Sequence, residues 1–164
     1  MRILKNIFSQ LHTFALWLVI SSLFWGWIFT FVTDTTPEKK VTVYCDTPEV
    51  HDTELAAALE ENMPEGLRMI KVHPFDYVMF SVDDFYQGDI FIVPASELET
   101  YAEVLAPVDG ERGVKVHDAI AGTGIATAYI QYENEDYYLF FGVNSVHLED
   151  GKALEVAQEL LTMK

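Results

Sequence analysis

Cysteine occurs once in this chain, at Cys45, so no intramolecular disulfide can hold the fold together and apolar packing has to close the core. Cys45 lies inside an apolar, strand-like run and reads as a small buried hydrophobe rather than a nucleophile. Acidic residues are equally absent from the first 33 positions: all 26 lie beyond them, with eight of the ten basic residues, a balance of −18 there against −16 for the whole chain. Such a field opposes phosphate backbones and anionic lipid heads, so nucleic acid is not an expected partner; it leaves solubility, or attraction of a cationic ligand, as its purpose. No G-x-S-x-G elbow, P-loop or H-E-x-x-H motif is present. The histidines at 12, 51, 73, 117 and 147 show no close ligand spacing, and no metal site or catalytic residue is assigned from them. Gly122-Thr123-Gly124 matches half of a dinucleotide fingerprint but precedes a strand instead of following one, so the helix N-terminus that would hold a pyrophosphate is missing and no cofactor is expected. Internal repeats and low-complexity segments are lacking too.

What the chain does have is an uncharged apolar run over residues 14–32. At a rise of ~1.5 Å per residue it matches the roughly 30 Å of a hydrocarbon core, which predicts a transmembrane anchor. Arg2 and Lys5 precede it and Asp34 and Glu38 follow, so the positive-inside rule places residues 1–13 in the cytoplasm and the bulk of the chain outside the cell. A cleaved signal peptide is the competing reading, against which stand the length of the run and the lack of an A-x-A cleavage site after it. Trp25 and Trp27 fall toward the outer interface. The expectation is a single-pass cell-membrane protein with a tether at 33–40 and one extracytoplasmic domain at 41–164, long enough to bury a core.

Within that domain, residues 41–45 are β-branched and aromatic and read as a strand. Asp52 is placed as the cap of a helix running to about residue 62, with Leu55, Ala58, Leu59 and Met63 at helical spacing. Residues 67–72 read as a second strand, 75–86 as a short helix or irregular crossover, and 89–93 as a central strand covered on both faces. Ser96 and Glu99 form a capping-box pattern that predicts a helix to about residue 105. Segments 125–132 and 137–143 flank a Glu-Asn-Glu-Asp turn and predict a hairpin, and Asp150 is read as capping a last helix with Ala153, Leu154, Ala157, Leu160 and Leu161 inward. The alternation predicts an α/β fold: one three-layer domain with a mixed sheet and right-handed crossovers.

Asp46, at the end of the first strand, stands where haloacid dehalogenases keep a nucleophile, but the second aspartate of that motif is replaced by Pro48, so it is read as a cap or turn residue. The phrases Val41-Thr-Val-Tyr-Cys-Asp, Gly88-Asp-Ile-Phe-Ile-Val-Pro with Ser96-Glu-Leu, Leu105-Ala-Pro-Val and Tyr138-Leu-Phe-Phe-Gly-Val-Asn-Ser, taken in order, resemble the first lobe of the extracellular solute-binding proteins that serve ABC importers. That resemblance implies a periplasmic-binding-protein-like lobe without enzymatic activity, acting in transport. The family's second lobe is normally inserted before the last elements of the first, where this chain has only residues 109–123, so the resemblance implies half a clamshell. Ligand sites in open α/β sheets lie outside the carboxyl ends of the strands, which here nominates Asp46, Thr47, Phe75, Asp76, Tyr77, Pro94, Ser96, Asn144 and Ser145. The function expected is a membrane-tethered binding or accessory module for a small solute, a transporter or another protein. A pure protein–protein interaction domain and an extracellular hydrolase using Asp46 and Asp76 are the alternatives.

Overall fold

A computed structural model describes residues 2–33, 35–75, 85–106 and 113–163. Asp76 and Tyr77, and most of the expected crossover at 75–86, lie outside the described residues. The chain divides into two compact units, Met1–Thr35 and Thr36–Lys164.

The first unit is one helix, α1 (Arg2–Thr33). Its side chains are described over residues 13–28, where Phe14, Trp17, Leu23 and Trp25 are among the exposed apolar groups. That stretch rises about 24 Å. Among the described residues no helix is long and apolar enough to cross a membrane.

The second unit is an α/β domain. In chain order its elements are β1 (Lys40–Cys45), β2 (Glu49–Val50), α2 (Asp52–Glu60), β3 (Met69–Pro74), β4 (Ile90–Pro94), β5 (Leu105–Ala106), β6 (Val114–Asp118), β7 (Thr123–Gly124), β8 (Ile130–Gln131), β9 (Tyr137–Gly142) and α3 (Lys152–Thr162). The main sheet runs β3-β1-β4-β9-β6-β7, with β5 also paired to β9. β1 is parallel to both β3 and β4, whereas β9 is antiparallel to β4 and to β6, so the sheet is mixed.

Strand alternation sorts the core into two layers. Val41, Val43 and Cys45 of β1, Ile70 and Val72 of β3, and Ile90 and Ile92 of β4 join Leu55 and Leu59 of α2 and Ala153, Val156, Ala157 and Leu160 of α3. The intervening residues point the other way: Tyr44, Phe91, Val93 and Phe140 build an aromatic cluster with Phe85, Val104 and Leu105. Tyr44 stacks on Phe91 with ring centroids 5.6 Å apart. The expectation that β4 is covered on both faces holds, since Ile90, Phe91, Ile92 and Val93 are all buried.

Several expectations fail locally. The predicted helix from Ser96 is a single 3-10 turn, Ala95–Glu97, followed by further turns. The Ser96 N–H donates to Glu135 Oε2 at 3.1 Å, and Glu99 does not close a capping box. The 125–132/137–143 hairpin does not form. Ala126 takes a positive φ of 46°, and its N–H donates to Met163 O instead of to a strand. β8 pairs antiparallel with β2 in a separate small sheet, while β9 enters the centre of the main one. The residue before α2 is His51, with Asp52 inside the first turn accepting from the Thr53 N–H at 2.7 Å. α3 begins after Gly151, although Asp150 does accept the Lys152 N–H at 3.1 Å, and Leu154 faces outward while Val156 takes the inward place.

Candidate functional site

β1 and β4 are neighbours, yet the chain leaves β1 through α2 toward β3 on one side and leaves β4 toward the β9 side. Their carboxyl ends therefore flank the point where the connections diverge, the place at which open α/β sheets leave a crevice. Asp46 N–H donates to Ile92 O at 2.8 Å, so the turn after β1 is pinned against β4. An open cleft of about 480 Å³ lies there. Asp46, Thr47, Pro94 and Ser96 line it, four of the residues nominated from the sequence, and with them stand Glu97, Tyr101, Glu133, Glu135 and Tyr137.

Glu97 and Tyr101 follow β4 in the chain, and Glu133, Glu135 and Tyr137 arrive because β9 runs antiparallel to β4 and so starts at this rim, with Pro94 opposite Tyr137. The turn that precedes it brings its acids along. Lys115 Nζ holds Asp136 at 2.7 Å and Asp118 at 2.9 Å, Ala95 N–H donates to Asp136 O, and Glu135 accepts from Ser96. Among the described residues neither Lys115 nor any other cation lines the cleft. Burial, reinforced by the nearby charges of Asp46 and Glu97, pushes the Tyr101 hydroxyl up to about 12. Burial likewise raises the Tyr137 hydroxyl, whose oxygen accepts the Glu133 N–H at 3.3 Å. The cleft is thus a field of carboxylates with two protonated phenols, suited to a positively charged group that can also lie against an aromatic ring.

Phe75 is not at the rim. It packs behind Tyr101, ring centroids 4.8 Å apart, and against Phe85 at 5.3 Å. Asn144 and Ser145 are at the opposite end of the sheet, because an antiparallel β9 points its carboxyl end toward the start of β4. There Ser145 Oγ donates to Asp89 Oδ1 at 2.5 Å, Thr42 N–H donates to Asp89 Oδ2 at 2.8 Å, and Asn144 Nδ2 donates to Tyr86 O at 3.1 Å. Burial raises the Asp89 carboxyl, against the pull of these hydrogen bonds and of the His147 and Lys40 charges. His147, 1% exposed, faces Asp150 with Nδ1 at 3.0 Å and the carbonyls of Pro37 and Lys40 with Nε2 at 3.1 Å. All of these partners can accept a hydrogen bond from the ring.

Cys45 is fully buried, and that burial, with the charge of Asp46 beside it, pushes its thiol up to about 12, the opposite of what a thiolate nucleophile needs. Among the described residues no three metal-ligating side chains converge. The signal for Glu133 and Glu135 was present in the sequence as an acidic turn before an apolar strand; the direction of that strand was not. No protein-family model, curated protein or solved structure matches the chain.

Proposed function

We propose that the chain is a membrane-anchored, extracytoplasmic binding or accessory module whose acidic cleft, at the carboxyl ends of β1 and β4, receives a positively charged group of a solute, a transporter or another protein. The cleft's position at the divergence of the β1 and β4 connections carries the reading, because that is where the backbone of such a sheet leaves room for a ligand. The excess of acidic residues supports a cationic partner. The anchor rests on the uncharged run at 14–32 and its flanking charges, which favour an N-terminus in the cytoplasm and a domain outside the cell. The likeness to a solute-binding-protein lobe is supported by the late strand β9 that runs into the sheet and is followed by helix α3. Residues 109–123, where the family inserts its second lobe, are too few for one, and an open cleft fits an accessory or protein-docking role better than tight capture of a small solute.

The test is titration of the full-length chain in detergent with lysine, arginine, spermidine and a lysine-rich peptide, read by thermal shift and calorimetry. Saturable binding that weakens with salt and is lost in Asp46→Asn/Glu135→Gln is expected, with folding stability changed by no more than about 1–2 kcal/mol. Binding that survives the double substitution places the working surface elsewhere.

A further inference from the structure

A second concavity, of about 60 Å³, opens on the aromatic face of β1 and β3, and its lining has the opposite character. Strand alternation puts Lys40, Thr42 and Tyr44 of β1 and Lys71 and His73 of β3 on that face, since Val41, Val43, Ile70 and Val72 point to the helices. The parallel register sets Thr42 beside Lys71 and Tyr44 beside His73. Neighbouring strands lie about 4.8 Å apart and alternate residues about 6.6 Å apart along a strand, so the two lysine stems start close enough for both ammonium groups to meet one small ligand. Tyr44 and His73 rings, 5.6 Å apart, form one wall, and Pro37 and Val146 close the other end.

The charge balance makes the convergence informative. In a domain with so few basic residues, Lys115 and Lys152 are held in ion pairs, whereas among the described residues Lys40 and Lys71 make no ion pair within 4.0 Å, although the charge of Lys40 acts on Asp89. The carboxylate in the concavity, Asp89, has its oxygens engaged by the Thr42 N–H and the Ser145 hydroxyl. We infer that this concavity is a binding site for a small oxyanion, a phosphate, sulfate or carboxylate group, held between the Lys40 and Lys71 ammonium groups against the Thr42 and Tyr44 side of β1. Two cations brought together on a half-buried face repel one another, and an anion between them converts that repulsion into two charge-assisted hydrogen bonds. The volume suits an isolated oxyanion or the end of a larger molecule and excludes a whole nucleotide.

The experiment is calorimetric titration of the full-length chain in detergent, at constant ionic strength, with inorganic phosphate and separately with glycerol phosphate as a soluble stand-in for a lipid headgroup. Saturable binding of phosphate is expected, weakened roughly tenfold or more in Lys71→Gln and in Lys40→Gln, retained in Lys71→Arg, and unchanged in Lys39→Gln, which alters the same net charge one residue outside the concavity. Tighter binding of glycerol phosphate than of inorganic phosphate supports the same site and identifies a headgroup as its source. Absence of saturable binding by the wild-type chain, or equal weakening by Lys39→Gln, overturns the inference. Circular dichroism and melting of each variant separate loss of the site from loss of the fold, and Lys71→Arg carries the test if a glutamine variant does not fold.

Discussion

Single atoms decide how closely this sheet can be built. A Cβ added at Gly142 would meet the carbonyl oxygen of Gly88 at 2.0 Å and the Phe91 ring at 3.0 Å, and backbone cannot yield there as a flexible side chain can. Gly142→Ala should therefore destabilise the domain by about 1–3 kcal/mol or more, measured by denaturant unfolding. Phe91, 1% exposed in the middle of the aromatic cluster, should lose about 3–5 kcal/mol on conversion to alanine. A loss below about 1 kcal/mol at either position would mean that β4 does not pack against β9 as described. Residue identity announced these positions unevenly. The buried Phe91 was legible as part of an unbroken apolar run, whereas nothing local marks Gly142 as the point where two backbones touch.

The elements were legible to the extent that their signals are local. β1, β4, α2 and α3 follow from apolar spacing and from the residues that stop them, and Asp46, Thr47, Pro94 and Ser96 follow as strand ends. Asn144 and Ser145 were misplaced because strand direction is a property of long-range pairing, and the 96–105 segment is a single 3-10 turn followed by further turns rather than a helix, for which the local pattern offers no reason. The turn before α3 offers a pH test. Asp150 is held well below the ordinary carboxylate range, chiefly by Lys152 and then by His147. A carboxylate that binds its proton more weakly when folded contributes stability above its unfolded value, about pH 4, and loses that contribution as pH falls through the folded one. The advantage of the wild type over Asp150→Asn should be present at neutral pH and vanish in strong acid, as melting curves across pH would show. For α1, arginines at Leu23 and Phe24 should disfavour insertion by roughly 5–7 kcal/mol on the insertion scale, releasing the chain from carbonate-washed membranes. Equal retention of both forms would remove the proposed anchor.

At the scale of the whole molecule, the domain carries an acidic cleft at the carboxyl ends of two strands and a lysine-lined concavity on the aromatic face, so a uniform reading of its net charge would miss half of its surface chemistry. The order of strands has a further consequence, one of time rather than of charge. β1 is synthesised before its sheet partners and sits between β3 and β4, but β9, which covers the other side of β4, is complete only at Gly142. Until then the hydrophobic strand Ile90–Pro94 presents an unpaired edge, and the parallel pairs already made are the slow, non-local kind. From the completion of β4 at Pro94 to that of β9 at Gly142 an emerging chain thus carries an adhesive border, and its passage into the folded state depends on keeping that border from other chains until β9 arrives.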